Sequence, residues 1–336
     1  MANAAVTGWG MALPERVLSN ADLERLVQTS DEWIVSRTGI RERRIAASGE
    51  STADLALAAS RRAIATAGID ATDLDLVIVA TVTPDMFMPS TASLIQHRLG
   101  AGRAGAFDLS AACSGFVYAF NVAAQFIQAG TYRNVLVVGA DTLTRMLDFT
   151  DRGTCILFGD GAGAVVLQAT GEPVGVLSTV LGSDGRGAEF LYVDGWQAVS
   201  NEPESEWPKR PFMKMNGREV YRFSVEIIGE VSAKAIEQAG LTYDDIDLLI
   251  PHQANTRILD AAARRLSLPR EKIWSNLERF GNTSAASVPI CIAEAAELGA
   301  LQPGMHLVLV AFGSGVSWAA SVVRWGGTSI NSIHSA

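Results

Sequence analysis

A chain of 336 residues that is 48% hydrophobic and has no low-complexity tract can bury a large core, and its length suits two domains or one duplicated domain. A formal net charge of -9 argues against general binding to nucleic acid or to an anionic membrane, although a local basic patch could still meet an acidic partner. The apolar stretches break well before the roughly 18 residues of a membrane helix, and the start "MANAAVTGWG" lacks a charged segment followed by an apolar one, so the chain reads as a soluble, cytoplasmic protein.

In chain order, hydrophobic periodicity predicts a helix over 51–68, a strand over 74–81, a helix over 113–130 and strands over 134–141 and 163–170. The second part repeats the alternation: helix 218–240, strand 246–252, helices 255–266 and 284–298, strand 306–313. Such alternation indicates an α/β fold.

An internal repeat runs through it. "AGIDATDLDLVIVAT" from Ala67 resembles "AGLTYDDIDLLIPHQ" from Ala239, an offset of 172 residues, and the same offset aligns "VLVV" at Val135 with "LVLV" at Leu307. The reading is two duplicated α/β halves, about 1–170 and 171–325, with a loosely held tail over 326–336. Residues 183–217, rich in Gly, Pro and charge, read as an inserted surface excursion.

Cys113, Cys155 and Cys291 are an odd, widely spaced set without CxxC, so reduced thiols are expected rather than disulfides or a zinc site. Cys113 sits in "DLSAACSGFVYAF", where a helix starts and its free N–H groups would lower the thiol pKa. The segment alone also fits a packed small residue. "PHQAN" puts His252 at the C-terminal end of a strand, and "RFGNTSAASVP" puts Asn282 in a turn before a helix. One Cys, one His and one Asn so placed form a nucleophilic constellation. His97, His306 and His334 read as structural or solvated. "FGDGAGA" (158–164) leads into a strand rather than a helix, which excludes a dinucleotide loop.

Six ordered blocks, "TSDEWIVSRTGIRERRIA", "AACSGFVYA", "DRGTCILFGDGAGAVVL", "PHQANTRI", "RFGNTSAASVP" and "AFGSGVSWAA", together resemble the β-ketoacyl-acyl carrier protein synthase III branch of the thiolase-fold condensing enzymes. The resemblance covers about residues 4–325. It implies a thiolase-like αβαβα fold, a Cys113–His252–Asn282 triad and an acyl-cysteine intermediate. It also implies condensation of a short acyl-CoA with malonyl-acyl carrier protein, in a homodimer. The cofactor role would fall to coenzyme A as a thioester substrate, with no group bound permanently and no metal.

By the same resemblance, the backbone N–H groups of Cys113 and Ser314 form an oxyanion hole. Thr29, Trp33, Arg37, Arg152, Gly217 and Asn255 hold CoA, with the adenine between Trp33 and Arg152. Leu143, Phe158 and Leu191 line the acyl pocket, Met88 lies on a partner-chain loop that closes its end, and Arg222, Arg257, Arg264 and Arg265 dock the carrier. Ser314 departs from the family's commoner run of three glycines, which bears on acyl preference more than on activity. Rival readings on the same fold are a pathway-specific condensing enzyme or acyltransferase and a catalytically silent partner subunit.

Overall fold

The computed structural model describes residues 2–194 and 212–327. Strand β1 (Asn3–Ala12) opens the chain, followed by a ribbon of β2 (Val17–Ser19) and β3 (Glu42–Arg44) with helices α1 (Asn20–Glu24) and α2 (Asp31–Thr38) between its strands. Then come α3 (Thr52–Ala67), β4 (Leu76–Ala80), α4 (Thr91–Leu99), β5 (Gly105–Leu109), α5 (Gly115–Gln128), β6 (Asn134–Thr142) and β7 (Asp160–Thr170). The rest is β8 (Gly175–Ser183), a ribbon of β9 (Leu191–Val193) and β10 (Met213–Met215), α6 (Gly217–Gln238), β11 (Leu248–Pro251), α7 (Thr256–Arg265), α8 (Leu277–Phe280), α9 (Ser287–Glu297), β12 (His306–Gly313) and β13 (Ser317–Arg324).

The first large sheet has the order β1-β7-β6-β4-β5 and the second β11-β12-β13-β8. Beside β11, Ile273 makes a single parallel bridge to Leu249, in the place that β5 holds beside β4. With that bridge counted, both sheets run in the same order. In each, the parallel strands are followed by two antiparallel pairings towards the other end, through β6, β7 and β1 in one and β12, β13 and β8 in the other.

Alternation along the strands stacks these sheets into five layers. Leu76, Ile78, Val135 and Val137 face inward with Leu307 and Leu309, against Phe116, Phe120, Val288 and Ile292 of α5 and α9. The odd-face residues Val77, Val79, Leu136 and Val138 turn to α3 and α4, and Val308, Val310 and Phe312 turn to α6 and α7. The order is therefore helices, sheet, helices, sheet, helices. Because α5 and α9 are buried between two sheets, they are apolar nearly all round.

The offset of 172 recurs in the elements: β1 and β8 start at residues 3 and 175, α5 and α9 at 115 and 287, β6 and β12 at 134 and 306. All ten segments expected from periodicity are present, with ends that move by a few residues. Residues 183–217 differ from the expectation of a surface excursion, since their described ends form β9 and β10 and wall a cavity. Residues 195–211, 328–336 and so His334 lie outside the described residues. Among the described residues, no helix is long and apolar enough to cross a membrane.

Candidate active site

The two middle helices begin side by side, at the ends of the strands that feed them. Cys113 lies in a 3-10 turn, Ala112–Ser114, that runs into α5, and Asn282 lies just before a matching turn, Ser284–Ala286, that runs into α9. His252 follows the last residue of β11, and Gly313 ends β12. Cys113, His252 and Asn282 all line one small cavity of about 40 Å³, with Phe312, Gly313 and Ser314.

Each member is held in place by a different device. Asn282 is fixed through its backbone, its N–H donating to the Leu157 carbonyl (2.9 Å) and its C=O accepting from Gly159 N–H (2.9 Å). Its Oδ1 accepts from Ser284 N–H at 2.9 Å, which leaves the amide NH₂ as the donating end. The His252 ring stands edge-on to Phe312, and its Nδ1 pairs with Ser287 Oγ at 2.7 Å. When that hydroxyl donates, the ring proton sits on Nε2. Burial pushes the His252 pKa down to about 3, which favours the neutral imidazole.

At Cys113 burial opposes the lowering of the thiol pKa expected at a helix start. Burial pushes its thiol up to about 12, and the nearby Asp141 carboxylate adds to the rise, against the pull of hydrogen bonds from Ser284 and its own backbone. At the start of α5 desolvation therefore works against the helix N-terminus. All three cysteines are free and buried.

A second, larger cavity of about 380 Å³ opens beyond the sulfur, lined by Leu143, Phe158, Leu191, Met146, Met213 and Phe87 among others. The three residues expected in an acyl pocket are therefore together, and Cys113, Leu191 and Ser314 line both cavities. Ser314 takes no left-handed backbone conformation, so a side chain costs nothing there. Met88 is not in the lining of its own chain's cavity and stands 82% exposed, whereas its neighbour Phe87 does line it.

Towards the surface, the Arg37 and Arg152 guanidinium groups lie 4.6 and 4.9 Å from the Trp33 ring centre. Arg152 rests on the indole, so a flat base would have to part them. Thr29 Oγ1 is buried without a hydrogen-bond partner among the described residues. Asn255 caps α7, accepting from Arg257 N–H (2.9 Å), and donates to the Arg37 carbonyl (3.0 Å). Gly217 is the first residue of α6, where a Cβ would stand 3.6 Å from the Met215 methyl.

The four arginines expected at a docking face are engaged differently. Arg222 pairs with Glu219, Arg257 donates to the Ser36 carbonyl (3.1 Å), Arg265 lies across Gly229, and Arg264 is exposed at the end of α7.

Sequence reasoning missed Asp141, Ser284 and Ser287. Asp141, at the end of β6, is buried and accepts from Thr81 Oγ1, Val82 N–H, Thr83 Oγ1 and Ala285 N–H. An acid ending the apolar run "NVLVVGAD" was the one available signal; for Ser284 and Ser287 there was none.

Residues 107–185 match the family described as 3-oxoacyl-[acyl-carrier-protein (ACP)] synthase III, and residues 236–325 match its C-terminal family. A relative from Roseiflexus sp. (strain RS-1), named beta-ketoacyl-[acyl-carrier-protein] synthase III, is 55% identical over 97% of this chain and 99% of its own length. The chain belongs to the 3-oxoacyl-[acyl-carrier-protein] synthase III family. Among solved structures, that of the Aquifex aeolicus VF5 3-oxoacyl-[acyl-carrier-protein] synthase III matches with TM-score 0.90 and 42% identity, over 96% of this chain and all of that one. The priming β-ketosynthase of the R1128 polyketide pathway matches with TM-score 0.91 and 38% identity, over 96% of each chain. The thiolase-like fold of the synthase III family is thus the fold of this chain, and the cavity around Cys113 is its candidate active site.

Proposed function

We propose that this chain condenses a short acyl-CoA with malonyl-acyl carrier protein, giving 3-ketoacyl-carrier protein, CO₂ and CoA, and so primes fatty acid synthesis. The observation that carries this reading is the convergence of Cys113, His252 and Asn282 on one cavity that adjoins an apolar chamber.

In the first step the Cys113 sulfur attacks the thioester carbonyl carbon. The bond to the CoA sulfur breaks, and the thiol proton ends on CoA. In the second, malonyl-carrier loses CO₂ and the electron pair of the broken C–C bond becomes an enolate. Its oxygen would be met by His252 Nε2–H and the Asn282 NH₂, fixed donors worth about 3 kcal/mol each in comparable oxyanion sites. The enolate carbon attacks the acyl carbonyl, the C–S bond to Cys113 breaks, and the thiolate takes a proton from water. During both attacks the carbonyl oxygen would face the backbone N–H groups of Cys113 and Ser314.

CoA is a substrate here, and no permanent cofactor takes part. We place its adenine between Trp33 and Arg152 with Thr29 Oγ1 beside it, Arg37 near the phosphates, and Gly217 and Asn255 along the pantetheine arm. The unpartnered Thr29 hydroxyl and the two guanidinium groups on one indole support this. Carrier docking is assigned to Arg222, Arg257, Arg264 and Arg265. The adjacent exposed side chains Met86, Phe87 and Met88 support a homodimer in which Met88 reaches the partner's pocket. The two halves 1–170 and 171–325 would each supply one side of the site, in a cytoplasmic enzyme. The likeness to a polyketide priming synthase favours a second reading, a condensing enzyme of secondary metabolism.

Intact-mass measurement with a panel of acyl-CoAs, followed by malonyl-carrier protein, tests the proposal. The chain should gain one acyl mass on Cys113 and then release it as 3-ketoacyl-carrier. Loading without ketoacyl product would indicate a plain acyltransferase. No loading would leave a silent subunit.

A further inference from the structure

We infer that the Ser314 hydroxyl is a latch that fixes the width of the neck between the Cys113 cavity and the acyl chamber, and so sets which acyl groups load by their girth. The inference rests on the acyl-transfer reading above and goes beyond it to a positioning residue.

Among the described residues, Cys113, Leu191 and Ser314 line both cavities, so the nucleophile and these two border the passage between them. Ser314 Oγ donates a hydrogen bond to the Leu191 carbonyl, which ties two sides of that passage together. On one side of the tie, the turn bearing Ser314 is anchored beside the nucleophile. Ser317 Oγ lies within hydrogen-bond distance of the carbonyls of Ser314 (3.0 Å) and Ala111 (3.2 Å), which share its one proton, and meets Ser114 Oγ at 2.8 Å. On the other side, Leu191 starts β9, which belongs to a two-stranded ribbon with β10 rather than to either large sheet. A short ribbon is weakly held by its own ladder, so a tether from the Cys113 side has leverage over where this wall stands. Leu191, Tyr192, Val193 and Met213 of the ribbon then form one wall of the 380 Å³ chamber.

The chamber is about ten times larger than the cavity holding the sulfur, by the volumes of about 380 and 40 Å³. Length of the acyl chain is therefore less restricted than its cross-section where it passes Leu191 and Ser314. A glycine at 314 would leave the Leu191 carbonyl without this donor, and the wall free to move outward.

The test compares the parent with Ser314→Ala, Ser314→Gly and Ser314→Thr. For each, kcat and KM of acyl loading are measured separately with acetyl-, butyryl-, isobutyryl-, isovaleryl- and benzoyl-CoA. Alanine and glycine should raise the kcat/KM ratio of branched or aromatic to straight primers by tenfold or more, mainly through KM. Threonine, which keeps the hydroxyl, should retain the parent ratio or lower it. Hydrogen exchange over residues 188–194 should quicken with alanine and glycine and not with threonine. A uniform change across primers, unchanged ratios, or a threonine profile that follows alanine would each overturn the latch. A parent that gains no acyl mass would sink the acyl-transfer reading and the latch with it, whereas a parent that loads while the ratios stay fixed sinks the latch alone.

Discussion

At the start of α5 the backbone of Ala112 takes φ 47° and the next residue is Cys113; at the start of α9, 172 residues on, Ser284 takes φ 53° and the next residue is Ala285. The strand-end residue that faces each start differs between the two. Ala285 N–H is taken at 3.2 Å by the Asp141 carboxylate. The position equivalent to Asp141 is Gly313, and a Cβ there would stand 2.7 Å from the Cys113 nitrogen. One helix start is covered by the buried Asp141 side chain. The other is left bare, and the proposed oxyanion would lie where the equivalent start has a carboxylate. The two halves trade the other reactive groups in the same way, with Ala80 standing where the second half has His252, and Ala285 where the first has Cys113.

The largest expected effect asks what the bare helix start does to its thiol. If burial decides, the thiolate fraction of Cys113 keeps growing far above neutrality, since its pKa is pushed up to about 12. Alkylation by iodoacetamide, followed by intact mass, should then quicken about tenfold per pH unit from 7 to 10 without a plateau. A plateau below pH 8 would mean that the helix N-terminus outweighs burial.

The bare start can also be closed. In Gly313→Ala the added methyl meets the backbone of Cys113 and Ser114, at 2.7 and 3.2 Å, rather than a flexible side chain. Acyl loading should fall by about two to three orders of magnitude, the cost of losing an oxyanion donor, while circular dichroism stays that of the parent. Loading within a few-fold of the parent would show that the approach of Gly313 to Cys113 serves packing alone.

The sealed start can be opened in turn. Asp141→Ala removes the acceptor of two hydroxyls and two N–H groups in the buried region joining β4, β6 and α9. Leaving buried donors unpaired costs roughly 1–3 kcal/mol each before water or relaxation compensates. A loss of about 3 kcal/mol in urea unfolding is expected, and a loss under 1 kcal/mol would mean that the region adapts.

Legibility in the sequence follows what kind of information each feature needs. The strands β4, β6, β11 and β12 carry their own periodicity, and the repeat at 172 could be aligned because each unit is local. By contrast, β1 holds Gly8 and Gly10, which resemble turn residues. They are there because α3 lies so close that a Cβ on Gly8 would stand 2.1 Å from the Ala63 carbonyl oxygen. Cys113, His252 and Asn282 could be found because each sits at a strand end or helix start. The thiol pKa could not, since a helix start is visible in a sequence and the depth of burial is not. Asp141 and Ala285 are joined only by the way the two halves pack, and no spacing along the chain records that.

His252 offers the smallest and cleanest contrast with its counterpart Ala80, because at this position only the second half carries a group that titrates. Its pKa falls to about 3 through burial, whereas an unfolded chain protonates its histidine near 6.5. Above 6.5 neither state binds the proton, and this contribution to stability is fully present. As pH drops below 6.5 the unfolded state alone gains it, so stability declines until about pH 3, where the folded state titrates as well. At pH 5 the loss amounts to about 2 kcal/mol, from about 1.4 kcal/mol per pH unit. Urea unfolding at pH 7.5 and pH 5 should therefore show the parent losing about 2 kcal/mol more than His252→Gln over that interval. Equal losses in the two proteins would mean that the imidazole gains a proton in the folded state near its usual pKa, and a ring that charges so readily would not serve as a neutral donor to the enolate.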